Sequence, residues 1–200
     1  MLLPILIATA WSFHGQDTRM LPDILASMIL YSVIAGYGWV WRADWIHLLR
    51  PPAKITTPLV IMVVLIPVVS VAIAVGMTFA ANALSLDIME ITPALLDAEW
   101  SIPMCFVWIA VLPPVMEEIA FRGIMLSRLQ SVMSPRNVVW LTSILFGLLH
   151  FDILAMAFLL VPLAVAAAYL TRLSGSLYPA ILVHAAHNTA IVALELGMRY

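Results

Sequence analysis

Three short stretches of the sequence carry the polar side chains that could do chemistry. They are EEIAFR at Glu117–Arg122, FGLLH at Phe146–His150 and HAAHN at His184–Asn188. A carboxylate and an imidazole that lie close together can bind and deprotonate a water molecule, acting as general base and then as proton donor. A second imidazole with an amide can donate hydrogen bonds to the oxyanion that forms when water attacks a carbonyl. If the three stretches converge, they would suit amide hydrolysis without a serine or cysteine nucleophile.

Helical spacing separates the two glutamates of the first stretch. Glu118 and Arg122 are four residues apart with the acid on the N-terminal side, which is the favourable order for an ion pair. Glu117 is turned about 100° away from Glu118 around a helix of 3.6 residues per turn. The spacing therefore predicts that one glutamate is neutralised by arginine and that the other is free for chemistry.

The histidines follow the same spacing rule. Phe146 and His150 share a helix face, as do His184 and Asn188, while His187 projects at a neighbouring angle. Each group has a structural alternative, because polar side chains also serve as hydrogen-bonding links between membrane helices. The occurrence of polar groups on three separate segments is harder to explain by packing alone.

Other intramembrane chemistries require motifs that the sequence does not contain. There is no HExxH zinc-protease motif, no GxSG-type serine site and no GxGD-type aspartate motif. Glu117, His150 and His184 could still ligate zinc, since two histidines and a carboxylate suit that metal. Asn188 and the Glu118–Arg122 pair fit the oxyanion scheme better, so we expect no cofactor.

The composition indicates that the solvent around these segments is lipid. Of the 200 residues, 64% are hydrophobic and 10% are charged, whereas a soluble domain carries roughly 25% charged residues. The net charge of -2 and the lack of a basic run argue against a nucleic-acid partner. A single cysteine, Cys105, excludes an intrachain disulfide.

About 20 apolar residues cross a bilayer as a helix, and several segments approach that length. The predicted spans are Leu2–Phe13 (a short first span rather than a signal peptide), Ile24–Trp41, Leu59–Leu86, Ile102–Met116, Val138–Phe151, Ile153–Leu170 and Leu177–Leu196. Pro113-Pro114 should end one helix and start another, with the glutamates in the first turns of the second. We expect an all-α transmembrane bundle of about seven spans with a catalytic cavity between the later helices. It would form one integral membrane domain, residues 1–200, with a motif-bearing core at 102–196.

Charges between the spans predict an orientation. By the positive-inside rule, basic loops are cytoplasmic, and these contain Arg42, Arg50, Lys54, Arg128, Arg136 and Arg172. The loop between the third and fourth spans holds only acidic charges and should be external: Asp87, Glu90, Asp97 and Glu99. The N-terminus is then cytoplasmic and the C-terminus external.

The three stretches, in this order, resemble the motifs EExxxR, FxxxH and HxxxN of the CPBP family, the CAAX-prenyl endopeptidase and bacteriocin-processing (Abi-type) membrane proteins. The resemblance covers Leu112 to Thr189. It implies a glutamate-dependent intramembrane endopeptidase acting on a membrane-associated, prenylated or otherwise lipidated peptide or protein. The implied catalytic residues are Glu117, His150, His184 and Asn188. The supporting residues are Glu118, Arg122, Phe146 and His187.

The short chain with small cytoplasmic loops favours a prokaryotic plasma-membrane member. Two other functions fit the same scaffold. One is a non-proteolytic immunity or binding protein, and the other is a proton-coupled transporter that uses Glu117 and the histidines as a relay. The absence of a visible inverted repeat and the clustering of polar groups in the second half count against the transporter.

Overall fold

The computed structural model describes residues 21–85, 91–150 and 154–199, and this part of the chain consists of helices and turns without a β-strand. The helices are α1 (Leu21–Val40), α2 (Arg42–Trp45), α3 (Thr57–Ala83), α4 (Ile91–Asp97), α5 (Ile102–Leu129), α6 (Pro135–Leu148), α7 (Leu154–Ser174) and α8 (Tyr178–Arg199). A 3₁₀ turn, Ile46–Leu49, follows α2. The expected all-α fold class is confirmed for these residues.

Membrane-spanning helices are present, but the predicted number of spans is larger than the number seen in the described ranges. Three segments are long and apolar enough to cross a bilayer: Thr57–Ala80, Ile102–Leu129 and Tyr178–Arg199. A fourth is obtained if Ile24–Val40 and Arg42–Leu49, bent by 84° relative to each other, form one span. The segment Leu2–Phe13 lies outside the described residues. Seven spans therefore stays a prediction.

The distribution of polar and apolar side chains fits a lipid solvent. α3 exposes large apolar side chains such as Val64, Val68 and Phe79, while Glu118 and Arg122 are each only 1% exposed. In water this arrangement would expose apolar surface and bury charge at the same time. In a bilayer, apolar side chains face lipid and ionisable groups face the interior of the bundle. The chain is an integral membrane protein.

The prediction that a helix ends at Pro113-Pro114 is wrong. α5 continues through both prolines, because π-helical turns at Val107–Val111 and Ile119–Met125 widen it on either side. A wider turn gives room to proline rings that would clash with the preceding turn of a regular α-helix. The two glutamates end the α-helical stretch Leu112–Glu118 between these π turns. They therefore lie inside a long helix rather than at the start of a new one.

Local signals fix the start of α6 and the end of α7. The Ser134 hydroxyl accepts a hydrogen bond from the Asn137 N–H at 3.4 Å, and Pro135 occupies the first helical position, so α6 begins there. Gly175 follows α7 with a φ of +62°, a conformation that ends helices and favours glycine. His150 lies two residues beyond the last residue of α6, at the point where the chain turns toward α7.

Segments predicted to share a side of the membrane contact each other. Arg128 Nη1 lies 2.6 Å from Asp44 Oδ2, and both follow spans that were predicted to end in the cytoplasm. Arg199 Nη2 lies 2.8 Å from Asp97 Oδ1, which joins the C-terminal end of α8 to the loop predicted to be external. The grouping of segments agrees with the predicted topology, while the end that faces the cytoplasm stays a prediction.

Candidate active site

The carbonyl oxygen of Ile109 cannot be satisfied within its own helix. Its donor would be residue 113 in an α turn or residue 114 in a π turn, and both are prolines without an N–H. Asn188 of α8 supplies the missing donor, because its Nδ2 lies 2.9 Å from the Ile109 oxygen. Pro113-Pro114 is the sequence signal that indicates this need. The Asn188 amide was predicted to donate to the oxyanion. One of its two protons is instead used in a hydrogen bond that joins α8 to α5.

The predicted ion pair between Glu118 and Arg122 forms in the interior. Arg122 Nη1 donates to Glu118 Oε1 at 2.9 Å, and its Nη2 donates to the Ala164 carbonyl of α7 at 2.8 Å. The guanidinium also lies over the Phe146 ring, 4.7 Å from its centroid, as in a cation–π contact. Arg122 thus joins α5, α6 and α7 around one buried charge.

Glu118 has a second partner that the helical spacing did not reveal. Its Oε1 lies 3.1 Å from His184 Nδ1, so Arg122 and His184 share the same oxygen. Because the carboxylate paired with arginine only accepts hydrogen bonds, His184 Nδ1 carries the proton and donates it. The other ring nitrogen, Nε2, lies 3.9 Å from Glu117 Oε2. His184 therefore bridges the two neighbouring glutamates.

Phe146 lies between the two imidazoles of the candidate site. Its ring centroid is 5.2 Å from that of His150 and 5.6 Å from that of His184, and the ring is 1% exposed. His150 Nδ1 lies 3.0 Å from the Phe146 carbonyl oxygen. A carbonyl only accepts, so Nδ1 is the donor, and Nε2 of neutral His150 keeps a lone pair. His150 is therefore presented as a hydrogen-bond acceptor.

Glu117 has the free carboxylate that the spacing predicts. Its side chain is 14% exposed, and its Oε2 is buried without a hydrogen-bond partner in the described part of the chain. The described groups that interact with it electrostatically are Tyr31, His150, His184, Glu118 and Arg122. A buried carboxylate oxygen normally has a partner, so this oxygen has an unused capacity to hold a water molecule.

His187, a predicted supporting residue, faces a different helix. Its Nδ1 lies 2.9 Å from Ser70 Oγ of α3, and no ion pair joins it to either glutamate in the described ranges. The sequence offered little to predict this contact, since 117 positions separate the two residues. Of the four predicted supporting residues, Glu118, Arg122 and Phe146 therefore lie at the candidate site. His187 lies against α3.

A metal site would need several ligands around one point. Among the residues that the structure describes, no group of three or more His, Cys, Asp or Glu side chains is placed to hold a metal ion. The triad of Glu117, His150 and His184 is therefore not arranged as a ligand set. A mechanism without a cofactor stays a prediction.

Comparison with known proteins identifies the part of the chain that contains this site. Residues 99–190 match the family model described as "Type II CAAX prenyl endopeptidase Rce1-like". Searches of curated proteins and of solved structures found no match. The matched range contains all three motif stretches and ends just after Asn188. This part of the chain is therefore similar to the Rce1-like type II CAAX prenyl endopeptidases, and the match supports the resemblance to the CPBP family.

Proposed function

We propose that this protein is an intramembrane endopeptidase in which Glu117 and His150 activate a water molecule to hydrolyse a peptide bond. The observation that supports this most directly is the unpartnered Oε2 of Glu117 in an apolar interior. His184 Nε2 lies 3.9 Å from that oxygen, and His150 interacts with the same carboxylate. Similarity of residues 99–190 to a protease family supports the general activity, and this geometry supports the glutamate mechanism.

Water activation follows from the hydrogen-bonding capacities of the two side chains. The water donates one hydrogen bond to the Glu117 carboxylate and a second to His150 Nε2. The lone pair of Nε2 is available because Nδ1 donates to the Phe146 carbonyl. As the Glu117 carboxylate takes the proton, the hydroxide attacks the peptide carbonyl carbon. When the C–N bond breaks, the Glu117 carboxyl group returns that proton to the leaving amine nitrogen. The products are a carboxylic acid and an amine, and Glu117 is again a carboxylate.

The oxyanion needs donors in the same cavity. Because His184 Nδ1–H is used by Glu118, Nε2 can donate only when His184 is an imidazolium. Glu118 holds the imidazole in the orientation that directs Nε2 away from the Glu118 carboxylate, as the carboxylate does in Ser-His-Asp triads. The second proton on Asn188 Nδ2 is the other candidate donor, because the first is bound to Ile109.

The proposed substrate is a membrane-associated peptide or protein, prenylated or otherwise lipidated, with its scissile bond inside the bundle. The proposed location is the plasma membrane of a prokaryote, with the N-terminus in the cytoplasm and the C-terminus outside. The basic loops on one side support that orientation.

The test is cleavage of prenylated and unmodified peptides by purified protein in detergent or proteoliposomes, followed by mass spectrometry. Glu117→Ala, His150→Ala and His184→Ala should each abolish the product. His47→Ala is the matched control, because His47 lies exposed in the 3₁₀ turn. Full activity in all three site variants would overturn the mechanism. An intact binding function with no product from the wild-type protein would instead favour a non-proteolytic role.

A further inference from the structure

Ser70 and His187 form a polar contact between α3 and α8. Ser70 lies in α3, three residues after Pro67, and its Oγ contacts both the Pro67 carbonyl oxygen and His187 Nδ1 at 2.9 Å. His187 is 8% exposed and lies in α8, three residues after His184. In an apolar helix, a buried polar pair of this kind requires an explanation.

Counting protons assigns the direction of both hydrogen bonds. A serine hydroxyl has one proton, and the Pro67 carbonyl can only accept one. If both contacts are hydrogen bonds, the Ser70 proton goes to Pro67 and His187 Nδ1–H donates to Ser70 Oγ. Neutral His187 then has its proton on Nδ1 and a lone pair on Nε2. Among the described residues, the side-chain hydrogen bond of His187 is made through Nδ1, and Nε2 takes no part in it.

His187 lies in α8 one turn from His184, a residue of the candidate active site. Residues three apart on a helix are neighbours on its surface, and His184 and His187 interact electrostatically. A peptide that enters an apolar cavity loses the water bonded to its backbone N–H groups, and each unsatisfied group is costly. An imidazole lone pair within reach of the peptide can satisfy one of them.

We propose that Ser70 and His187 are a substrate-positioning pair. Ser70 fixes the Nδ1–H form of His187, and His187 Nε2 accepts a hydrogen bond from a backbone N–H of the bound peptide. This proposal rests on the endopeptidase function and adds a binding contact outside the groups that activate water. Its loss should weaken substrate binding while leaving the chemical step intact.

The hydrogen-bond direction is tested by ¹⁵N NMR of histidine-labelled protein. The chain has five histidines, and His187→Asn identifies the His187 signals by their loss. The proposal expects a protonated Nδ1 and an unprotonated Nε2 in the wild type, and a mixture of both forms in Ser70→Ala. A wild-type His187 with its proton on Nε2 would overturn it.

Kinetics test the substrate contact. Ser70→Ala and His187→Asn should each raise KM roughly threefold to tenfold, the effect of one neutral hydrogen bond, with kcat unchanged. The Asn amide can still donate toward Ser70 but has no acceptor at the Nε2 position. Ser70→Thr keeps the hydroxyl and should restore the wild-type KM. Ser32→Ala is the matched control, because the Ser32 hydroxyl bonds only within its own helix, to Met28 at 2.8 Å.

Two kinetic results would overturn the proposal: an unchanged KM in Ser70→Ala and His187→Asn, or a fall in kcat without a change in KM. A Ser70→Thr variant as defective as Ser70→Ala would do the same. If the wild-type protein cleaves no peptide, the endopeptidase function and the substrate contact both fail. The NMR spectrum still decides the Ser70–His187 hydrogen bond in that case.

Discussion

Replacing Asn188 with alanine should destabilise the protein through the carbonyl of Ile109. The substitution removes the 2.9 Å hydrogen bond to an oxygen whose helical donors are replaced by Pro113 and Pro114. Leaving this partly buried carbonyl without a partner costs about 1–3 kcal/mol in free energy of unfolding. In a Pro113→Ala background, the new backbone N–H can reach Ile109, so the same Asn188→Ala change should cost less than about 0.5 kcal/mol.

A double-mutant cycle measured by reversible unfolding in mixed micelles isolates this coupling. We expect an interaction energy of about 1–2 kcal/mol between Pro113 and Asn188. Pro135→Ala is the matched control, because Pro135 lies at the first position of α6 and should show no coupling to Asn188. An equal cost of Asn188→Ala in both Pro113 backgrounds would refute the reasoning. Peptide cleavage by the same variants reports separately whether Asn188 also donates to the oxyanion.

Three further outcomes are expected. Arg122→Met should destabilise the fold by about 3–5 kcal/mol, because it removes the cation beside the buried Glu118 carboxylate and leaves it only the hydrogen bond from His184. The exposed counterpart Arg128→Met should cost less than about 1 kcal/mol, and equal losses would contradict the burial argument. Phe146→Leu should cost about 1–2 kcal/mol through loss of ring and cation–π contacts, as measured by thermal unfolding, and should lower cleavage because both imidazoles lose a neighbour. Cleavage should be unchanged by a metal chelator, and its loss with recovery on adding zinc would contradict the metal-free mechanism.

Contacts within one helix could be predicted from the sequence, because spacing alone determines them. The ion pair between Glu118 and Arg122 follows from their separation of four residues, and the structure contains it. The convergence of polar groups from α5, α6 and α8 also follows, because ionisable groups avoid lipid and therefore face one another. The contact between Glu118 and His184 depends on how α5 and α8 pack, which spacing does not specify.

The course of α5 was not predicted correctly, because two prolines normally end a helix. Here π-helical turns widen the helix around Pro113-Pro114, and Asn188 satisfies the carbonyl that they leave without a donor. That compensation involves two distant segments, so a local rule about proline could not include it. The contact between Ser70 and His187 is of the same kind, since it depends on how α3 and α8 pack together.

The most direct test of the central claim is the cleavage rate of Glu117→Gln. Glutamine keeps the size of the side chain but cannot accept the proton of the attacking water. The account predicts a fall in kcat of roughly 10²–10⁴-fold, the contribution of a general base. Glu99→Gln is the matched control at an exposed carboxylate and should retain wild-type activity. A Glu117→Gln variant that forms product at the wild-type rate would contradict the assignment of Glu117 as the base.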